Sequence, residues 1–401
     1  MNKTKSKPLS LFIFFPLLAL IFVRPFVSGL AYPSLELYYQ NLIIFLAIAT
    51  LLVEAKARFM VFPQRFDNFP VLFLLFAYSI STTFSINIQN SLAETIKFIS
   101  FFSVFFIVSQ IDEKQKKILI KTIAFTASII SIYSIYQYFW GYQHTLDYLR
   151  KTNNDFLLNT SYARDILIAK RAIGTFPSPN ILGSYLIMAF FLSLSLGKKY
   201  LVPVLIVGAL FLTKSMGAWL SLVAALIILF VLSYKSIKKQ RSMLALFIIF
   251  IALAITFILV TRWERLMDLG NPQNSITQRL SYWHTAIAII KDNTIFGVGP
   301  GNFQEVFLKY KEGLSTDTRY AHNIFLHAWA ETGILGLIGI FYLIVNFIKG
   351  TGKKPRDRLI LLSGLTFILH NLIDNTYFIP QTGAYLWIIL GLLVDSAHRK
   401  T

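Results

Sequence analysis

Long apolar runs, each of about 18 or more residues, recur along nearly the whole chain and alternate with polar connections. Runs of this length predict membrane-spanning helices, because about 20 helical residues cross the hydrocarbon core of a bilayer. The pattern predicts about twelve spans, near residues 9–28, 35–53, 69–86, 95–111, 117–140, 177–196, 200–213, 216–233, 243–261, 322–348, 359–376 and 381–396. The predicted fold class is an all-α polytopic membrane protein, with residues 1–401 forming a single integral membrane domain.

Composition supports the same fold class. Hydrophobic residues make up 55% of the chain and charged residues 14%, whereas about a quarter of a typical soluble domain is charged. The mean hydropathy is +0.60. The first apolar run is not followed by a small-x-small cleavage site, so we expect a retained membrane helix rather than a signal peptide. The absence of Cys excludes disulfides, Cys-ligated zinc and iron–sulfur clusters.

The formal net charge of +19 is compatible with a nucleic-acid partner, but the positions of the basic residues favour a topological role. Lys and Arg concentrate in alternate connections, such as 114–117, 235–241 and 349–358, and are scarce in the short connections between them. Because cytoplasmic loops are enriched in Lys and Arg, both termini are predicted to be cytoplasmic. The expected surroundings are membrane lipids, and no nucleic acid is expected as a partner.

Two connections are much longer than the others. They cover residues 141–176 and 262–321, and the predicted topology puts both on the outer side of the membrane. Loops of this length are usually functional or disordered, and these two are rich in Trp, Tyr, Phe, Gly and Pro. We therefore expect the chemistry of this protein on these two extracytoplasmic loops.

Polar residues cluster where the second outer loop meets the tenth predicted span. His322 lies near the start of the span, and Asn323, His327 and Glu331 follow at intervals of four residues, which places them on one helical face. Ionisable residues in a membrane helix are costly and mark candidate functional sites. A second interpretation remains open, in which these residues form a polar seam against another helix and Gly333 and Gly336 allow its close approach.

The imidazole of His322 is suited to general-base chemistry. Its unperturbed pKa is about 6.5, so it is largely neutral at pH 7 and can accept a proton. The positive end of the helix dipole is expected to lower this pKa further and to attract an anionic phosphate.

Other features of the outer loops allow two interpretations each. Arg279 opens a stretch with the periodicity of an amphipathic interfacial helix, and it could anchor that helix or clamp a phosphate. The glycine-rich stretch 297–301 favours turn formation over a phosphate cradle, because the Gly-Lys-Ser/Thr of a P-loop is missing. Lys170 and Arg171 are either interfacial anchors or ligands for an anionic group, shortly before Asn180 in a fixed helix start.

Together these segments resemble the O-antigen ligase/polymerase superfamily, over residues 171–340. The family's His-Asn, Leu, Glu-x-Gly, Gly pattern is matched by His322, Asn323, Leu326, Glu331, Gly333 and Gly336. The preceding family pattern is matched by Arg279, Trp283, the stretch Gly297-Val298-Gly299-Pro300-Gly301 and Phe303. A third stretch is matched by Gly174-Thr175-Phe176 and Pro179-Asn180.

The resemblance implies a metal-independent glycosyltransferase of the bacterial inner membrane, with its active site on the outer, periplasmic face. The donor would be a glycan on undecaprenyl pyrophosphate. The acceptor would be a hydroxyl of a glycolipid or glycan, such as lipid A–core in a Gram-negative ligase. Arg279 would bind the pyrophosphate, and His322 would act as the base or orient the acceptor. Many family members carry a second arginine where this chain has Met216, so either Lys214 or Arg171 would supply that charge, or the substrate would be held differently.

The candidate residues follow from the motifs and the resemblance together. The candidate catalytic residues are His322 and Glu331, although Glu331 could instead only orient His327. The candidate substrate-binding residues are Arg279, Arg171, Lys214, Asn323, His327 and Asn180. No cofactor is expected, and no metal site, because the histidines form no His-Glu-x-x-His pattern.

Three alternatives to a ligase remain open. A polysaccharide polymerase shares the same signature, and a protein O-oligosaccharyltransferase is a third relative. A transporter of lipid-linked glycans belongs to a different class, and it would carry polar residues near the bilayer midplane, often on broken helices.

The predicted orientation can be tested with single cysteines, because the chain contains none. We expect Gln143→Cys to react with a membrane-impermeant maleimide on intact cells, because its loop is predicted to be outside. Lys114→Cys is expected to react only after the cells are opened. Equal labelling of both variants in intact cells would contradict the predicted topology.

Overall fold

The computed structural model describes residues 8–29, 31–56, 69–197, 200–237, 241–272, 274–311, 317–350 and 354–394. Within these ranges the protein is α-helical and contains no β-strand. The helices are α1 (Leu11–Val23), α2 (Pro33–Lys56), α3 (Phe69–Thr83), α4 (Ile88–Ser109), α5 (Glu113–Tyr136), α6 (Tyr142–Lys151), the single turn α7 (Ser161–Ala163), α8 (Pro179–Leu194), α9 (Leu201–Thr213), α10 (Met216–Ile237), α11 (Arg241–Met267), α12 (Ser275–Asp292), α13 (Phe303–Tyr310), α14 (Ile324–Gly350), α15 (Pro355–His370) and α16 (Pro380–Leu393).

A helix lies at each of the twelve stretches in which the sequence predicts a span. In the described part of the chain, four helical stretches are long and apolar enough to cross a membrane: Pro33–Val53, Ile88–Ser109, Glu113–Lys151 and Ile324–Lys349. Shorter apolar helices accompany them, among them α1, α3, α8, α9 and α16. These features agree with a polytopic membrane protein, whereas the number of crossings stays a prediction.

Some helix boundaries differ from the predicted ones. Helix α4 starts at Ile88, seven residues before the predicted span, because Asn87 accepts hydrogen bonds from the backbone N–H groups of Gln89 and Asn90. Helix α15 ends at His370, whereas the predicted span continued to residue 376. The polar run that follows it is therefore a connection outside both neighbouring helices.

The two predicted outer loops contain ordered helices. Helix α5 continues through a π-helical turn, Gln137–Gly141, into α6. Helix α12 covers the stretch after Arg279 for which the sequence predicts an amphipathic helix, and α13 follows it.

Helix α16 lies at the centre of the helix bundle. Its residues from Gln381 to Leu393 are all buried, which fits a helix that is apolar on every side. Trp387 is fully buried and meets the ring of Phe98 of α4 edge-on at 5.3 Å. In contrast, Phe12 and Val260 are 91% and 75% exposed, as expected for side chains that face lipid.

A buried ion pair joins the ends of α1, α2 and α16. Arg24 is 1% exposed, and its Nη2 lies 2.7 Å from the carboxylate of Glu36. Its Nε donates to the carbonyl of Pro380 at 3.2 Å, and its guanidinium lies 4.5 Å from the ring of Tyr39. An unpaired charge at this depth would be strongly destabilising, so these contacts fix the three helix ends together.

Helix α14 is broken at Gly333, whose backbone has φ 67° and ψ −169°. The stretch Gly297–Gly301, here called the glycine turn, packs against the break. The carbonyls of Ala330 and Glu331 accept 2.9 Å hydrogen bonds from the N–H groups of Val298 and Gly299. The glycine turn therefore satisfies carbonyls that the break leaves without helical partners, which supports turn formation over a phosphate cradle.

Substitution of Gly333 by Ala should be strongly destabilising. The new Cβ would overlap the carbonyl oxygen of Ile295, and the backbone has a left-handed φ. We expect the free energy of unfolding to fall by about 2–5 kcal/mol, measured as a lower unfolding temperature in detergent. The control is Gly208→Ala in α9, where a Cβ meets nothing within 4 Å. Equal effects of the two substitutions would contradict this account of the break.

Candidate functional site

A buried carboxylate, Asp374, lies in the connection between α15 and α16 and is 3% exposed. Its Oδ2 accepts hydrogen bonds from Asn180 Nδ2 at 2.9 Å and from Arg279 Nη2 at 3.2 Å. Its Oδ1 accepts from the backbone N–H of Asn375 at 2.9 Å. The donors come from α8, α12 and the connection itself, so this one side chain joins three distant parts of the chain.

Arg279, in the second turn of α12, is held by three hydrogen bonds. Besides the bond to Asp374, its Nε donates to the carbonyl of Ile373 at 2.6 Å and its Nη1 to the carbonyl of Ser275 at 3.0 Å. The side chain is 20% exposed. These contacts favour a role in the polar cluster over that of a lipid-facing anchor.

His322 lies beside the same carboxylate, just before α14. Its Nδ1 is 3.8 Å from Asp374 Oδ1, which is ion-pair distance rather than hydrogen-bond distance. The imidazole stacks on the ring of Tyr282 at 5.5 Å, and the His322 carbonyl accepts a 3.4 Å bond from Trp283 Nε1. The side chain is 23% exposed, so one part of the ring remains accessible.

The backbone of His322 is strained. Its φ is 53°, in the left-handed region, which costs a residue with a side chain about 1–2 kcal/mol. Strain of this kind persists where surrounding contacts impose it, and it clusters at functional sites. The next residue, Asn323, is fixed by three hydrogen bonds: its Oδ1 accepts from the N–H groups of Phe325 and Leu326, and its Nδ2 donates to the carbonyl of Leu372.

Burial lowers the pKa of His322 to about 4. The carboxylate of Asp374 opposes this shift, whereas Arg279 adds to it. The direction agrees with the sequence prediction, but the largest cause is burial rather than the helix dipole. Burial would by itself raise the pKa of Asp374, yet Arg279 and the neighbouring histidines lower it overall. At neutral pH the pair is therefore a neutral imidazole beside a carboxylate.

Asn180 extends the cluster towards the first outer loop. Its Oδ1 accepts from Arg171 Nη2 at 3.2 Å and from Ser215 Oγ at 3.0 Å. Arg171 is 5% exposed and forms a forked ion pair with Asp165 at 2.6 and 2.7 Å. We name this group the Asp374 cluster; its members are Asp374, Arg279, His322, Asn180 and Arg171.

Two lysines, Lys170 and Lys214, lie beside the ring of Tyr138. Lys170 directly precedes Arg171, a member of the Asp374 cluster. Lys170 Nζ lies 4.7 Å and Lys214 Nζ 5.9 Å from the ring centre. Lys214 Nζ also donates to the carbonyl of Ala169 at 2.9 Å. Both lysines have a left-handed φ of 49°. Met216 packs against the apolar core, so these lysines carry positive charge in the region where the family pattern expects a second arginine.

Glu331 and His327 form a separate buried pair. His327 Nε2 lies 3.3 Å from Glu331 Oε2, and His327 Nδ1 accepts from the N–H of Ala321 at 3.3 Å. Glu331 Oε1 accepts from the N–H of Phe303, the first residue of α13. The imidazole of His327 also packs 4.2 Å from the ring of Phe378. Through these contacts, the His327–Glu331 pair holds the second outer loop against α14.

The structure thus brings together four of the predicted residues, Arg279, His322, Asn180 and Arg171. It puts Lys214 at their edge, makes Asn323 the cap of α14, and pairs Glu331 with His327 elsewhere. Within the described residues, no group of three or more His, Asp or Glu side chains is arranged to hold a metal ion.

Sequence reasoning missed Asp374, although a signal was present. The residue stands in the run His370-Asn371-Leu372-Ile373-Asp374-Asn375-Thr376, all of which lies within the predicted span 359–376. An acidic residue inside a predicted membrane segment is itself a candidate site, and this rule would have identified it.

Comparison with known proteins agrees with the resemblance. Residues 201–341 match the family described as O-Antigen ligase. A protein of Haemophilus influenzae, described only as an uncharacterized protein, is 25% identical over 126 residues. That match covers 29% of this chain and 31% of the relative, so it spans less than a third of either protein. Lys214, Arg279 and His322 lie inside the family match, whereas Asn180 and Asp374 lie outside it.

The lowered pKa of His322 predicts a pH dependence of stability. Between about pH 6.5 and about pH 4 the unfolded chain binds a proton that the folded protein does not. The contribution of His322 is therefore complete above about pH 6.5 and is lost as the pH falls towards 4. We expect the unfolding temperature of the wild type to fall more over this range than that of His322→Gln.

The matched control for this measurement is His144→Gln, which removes an exposed histidine of the first outer loop. It should follow the wild-type pH profile. A wild type and His322→Gln variant with the same loss of stability would contradict a lowered His322 pKa.

Proposed function

We propose that this protein, whose residues 201–341 match the O-antigen ligase family, transfers a glycan from undecaprenyl pyrophosphate to a sugar hydroxyl. In a Gram-negative cell the acceptor is the lipid A–core glycolipid. The observation that carries the proposal is the convergence of Arg279 and His322, a cation and a neutral base, on the carboxylate of Asp374. Leaving-group stabilisation and proton abstraction need this pair of groups.

His322 is the proposed base. The acceptor oxygen forms a bond to the anomeric carbon, the bond from that carbon to the pyrophosphate oxygen breaks, and the hydroxyl proton passes to the imidazole. Asp374 faces Nδ1, which favours a hydrogen on that nitrogen and leaves Nε2 to accept the proton. The carboxylate also stabilises the imidazolium that forms, as the acid of a catalytic triad does.

Binding of the donor is expected to raise the pKa of His322. In the free protein the pKa of His322 is about 4, which makes the imidazole a weak base at pH 7. A bound diphosphate adds negative charge nearby, and negative charge raises the pKa of an imidazole. His322 therefore becomes a stronger base when the donor is in place.

Arg279 is the proposed ligand of the leaving group. A guanidinium has five N–H donors, and the three hydrogen bonds to Ile373, Ser275 and Asp374 use three of them. Among the described contacts, two donors remain for the diphosphate. The three existing bonds hold the guanidinium in a fixed orientation, so little entropy is lost when the donor binds.

The remaining candidates take supporting roles in this proposal. Lys214 supplies positive charge near the diphosphate from the Tyr138 side, because Met216 cannot. Arg171 and Asn180 position Asp374 through their hydrogen bonds. Glu331 positions the outer loop rather than reacting, because its carboxylate is bonded to Phe303 and paired with His327.

The break in α14 is a feature of transporters, yet its contacts favour an enzyme. In transporters the freed carbonyls of a broken helix coordinate an ion or substrate. Here the carbonyls of Ala330 and Glu331 already accept hydrogen bonds from the glycine turn. A polymerase that extends lipid-linked glycans would use the same chemistry and differ only in its acceptor.

The test is transfer of a glycan from undecaprenyl pyrophosphate by purified protein in liposomes, with a chelator present. We expect His322→Ala to lower the rate by about 10²–10⁴-fold and Arg279→Ala by about 10²–10³-fold. Loss of the wild-type rate on addition of the chelator would contradict a metal-independent reaction.

The matched controls remove the same residue types from the exposed part of the first outer loop. They are His144→Ala and Arg150→Ala, and both should retain the wild-type rate. Full activity of His322→Ala and Arg279→Ala would refute the site. A wild type that transfers no glycan but moves the lipid-linked glycan across the bilayer would favour the transporter.

A further inference from the structure

A groove of about 540 Å³ lies between α1 and α5 at the periphery of the helix bundle. Four residues of α1 between Phe15 and Phe22, and four of α5 between Ile118 and Phe125, form its walls. The rings of Phe22 and Phe125 stack at 6.3 Å and close one end. The walls are largely apolar, and the groove is open along its length rather than an enclosed cavity.

The two helices that form the groove are fixed to each other. The side chain of Gln115 at the start of α5 accepts from the N–H of Leu9 and donates to its carbonyl, both at 2.9 Å. This pair of bonds lies at one end of the groove, and the Phe22–Phe125 stack lies at the other. These contacts hold α1 and α5 together near both ends of the groove.

Among the described residues that line the groove, Lys121 is the only charged one. It lies eight residues after Glu113 in α5 and four residues after the start of the predicted span at residue 117, about 6 Å along the helix axis. An ammonium group at this depth is costly unless it reaches the headgroup region or pairs with an anion. The nearby carboxylate of Glu113 already pairs with Lys116 at 3.2 Å and Arg356 at 2.8 Å.

We propose that this groove binds one anionic glycerophospholipid. An acyl chain lies between α1 and α5, and the phosphate pairs with Lys121. The exposed rings of Phe15 and Phe125, 60% and 61% accessible, contact the chain. If the predicted orientation holds, the lipid comes from the cytoplasmic leaflet.

This lipid site is separate from the Asp374 cluster. The far end of α5 reaches the cluster's side of the protein, where Gln137 accepts from the N–H groups of Ile173 and Gly174. Lys121 lies sixteen residues earlier on the same helical path, about 24 Å away along the axis. The proposal therefore does not depend on the proposed glycosyl transfer.

The test is native mass spectrometry of the purified full chain with added phosphatidylglycerol or phosphatidylcholine of the same acyl chains. We expect the wild type to retain phosphatidylglycerol preferentially, and Lys121→Gln to reduce that preference about fivefold. The matched control is Lys117→Gln, one turn earlier on α5 and also exposed, which should keep it.

A second variant tests the groove itself. Ala19→Trp puts an indole into the exposed wall of α1 and should reduce binding of both lipids. Unchanged lipid preference in Lys121→Gln, or an equal loss in Lys117→Gln, would overturn the proposal. Tighter binding of undecaprenyl phosphate than of phosphatidylglycerol would overturn the assignment of a glycerophospholipid to the groove.

Discussion

A helical membrane protein has to satisfy every buried charge and every unpaired backbone group from within, because hydrocarbon offers no hydrogen bonds. The Asp374 cluster obeys this constraint: a buried carboxylate is matched by an arginine, an amide and a backbone N–H from separate elements. The same constraint explains Arg24 with Glu36, and the glycine turn on the carbonyls freed at Gly333. The chemistry of the site and the stability of the bundle thus depend on the same kind of contact.

The positions of the helices could be predicted because membrane helices are set by the local apolar content of the chain. The break in α14 could not, since the helix contains no proline and a glycine alone does not require a break. The break depends on the glycine turn, which lies more than thirty residues earlier in the chain. Such a partner can be identified only from the tertiary structure.

The site was predictable in part. The resemblance selected Arg279 and His322, and they do meet, but their common partner Asp374 lay in a stretch assigned to a predicted span. The predicted common face joined Asn323, His327 and Glu331 and did not include His322. His322 has a left-handed backbone and precedes the first turn of α14, so the helical period does not extend to it. The i, i+4 spacing did predict the contact between His327 and Glu331.

The wide sequence separation of the cluster has a consequence for biogenesis. Arg171 and Asn180 come before α9, Arg279 belongs to α12, and Asp374 follows α15. During synthesis the two arginines and the amide enter the membrane region long before the carboxylate that joins them. The site therefore closes only when α8 to α15 are all inserted. A partly synthesised chain lacks the carboxylate that Arg279 and His322 share, so the Asp374 cluster forms only after α15 has been synthesised.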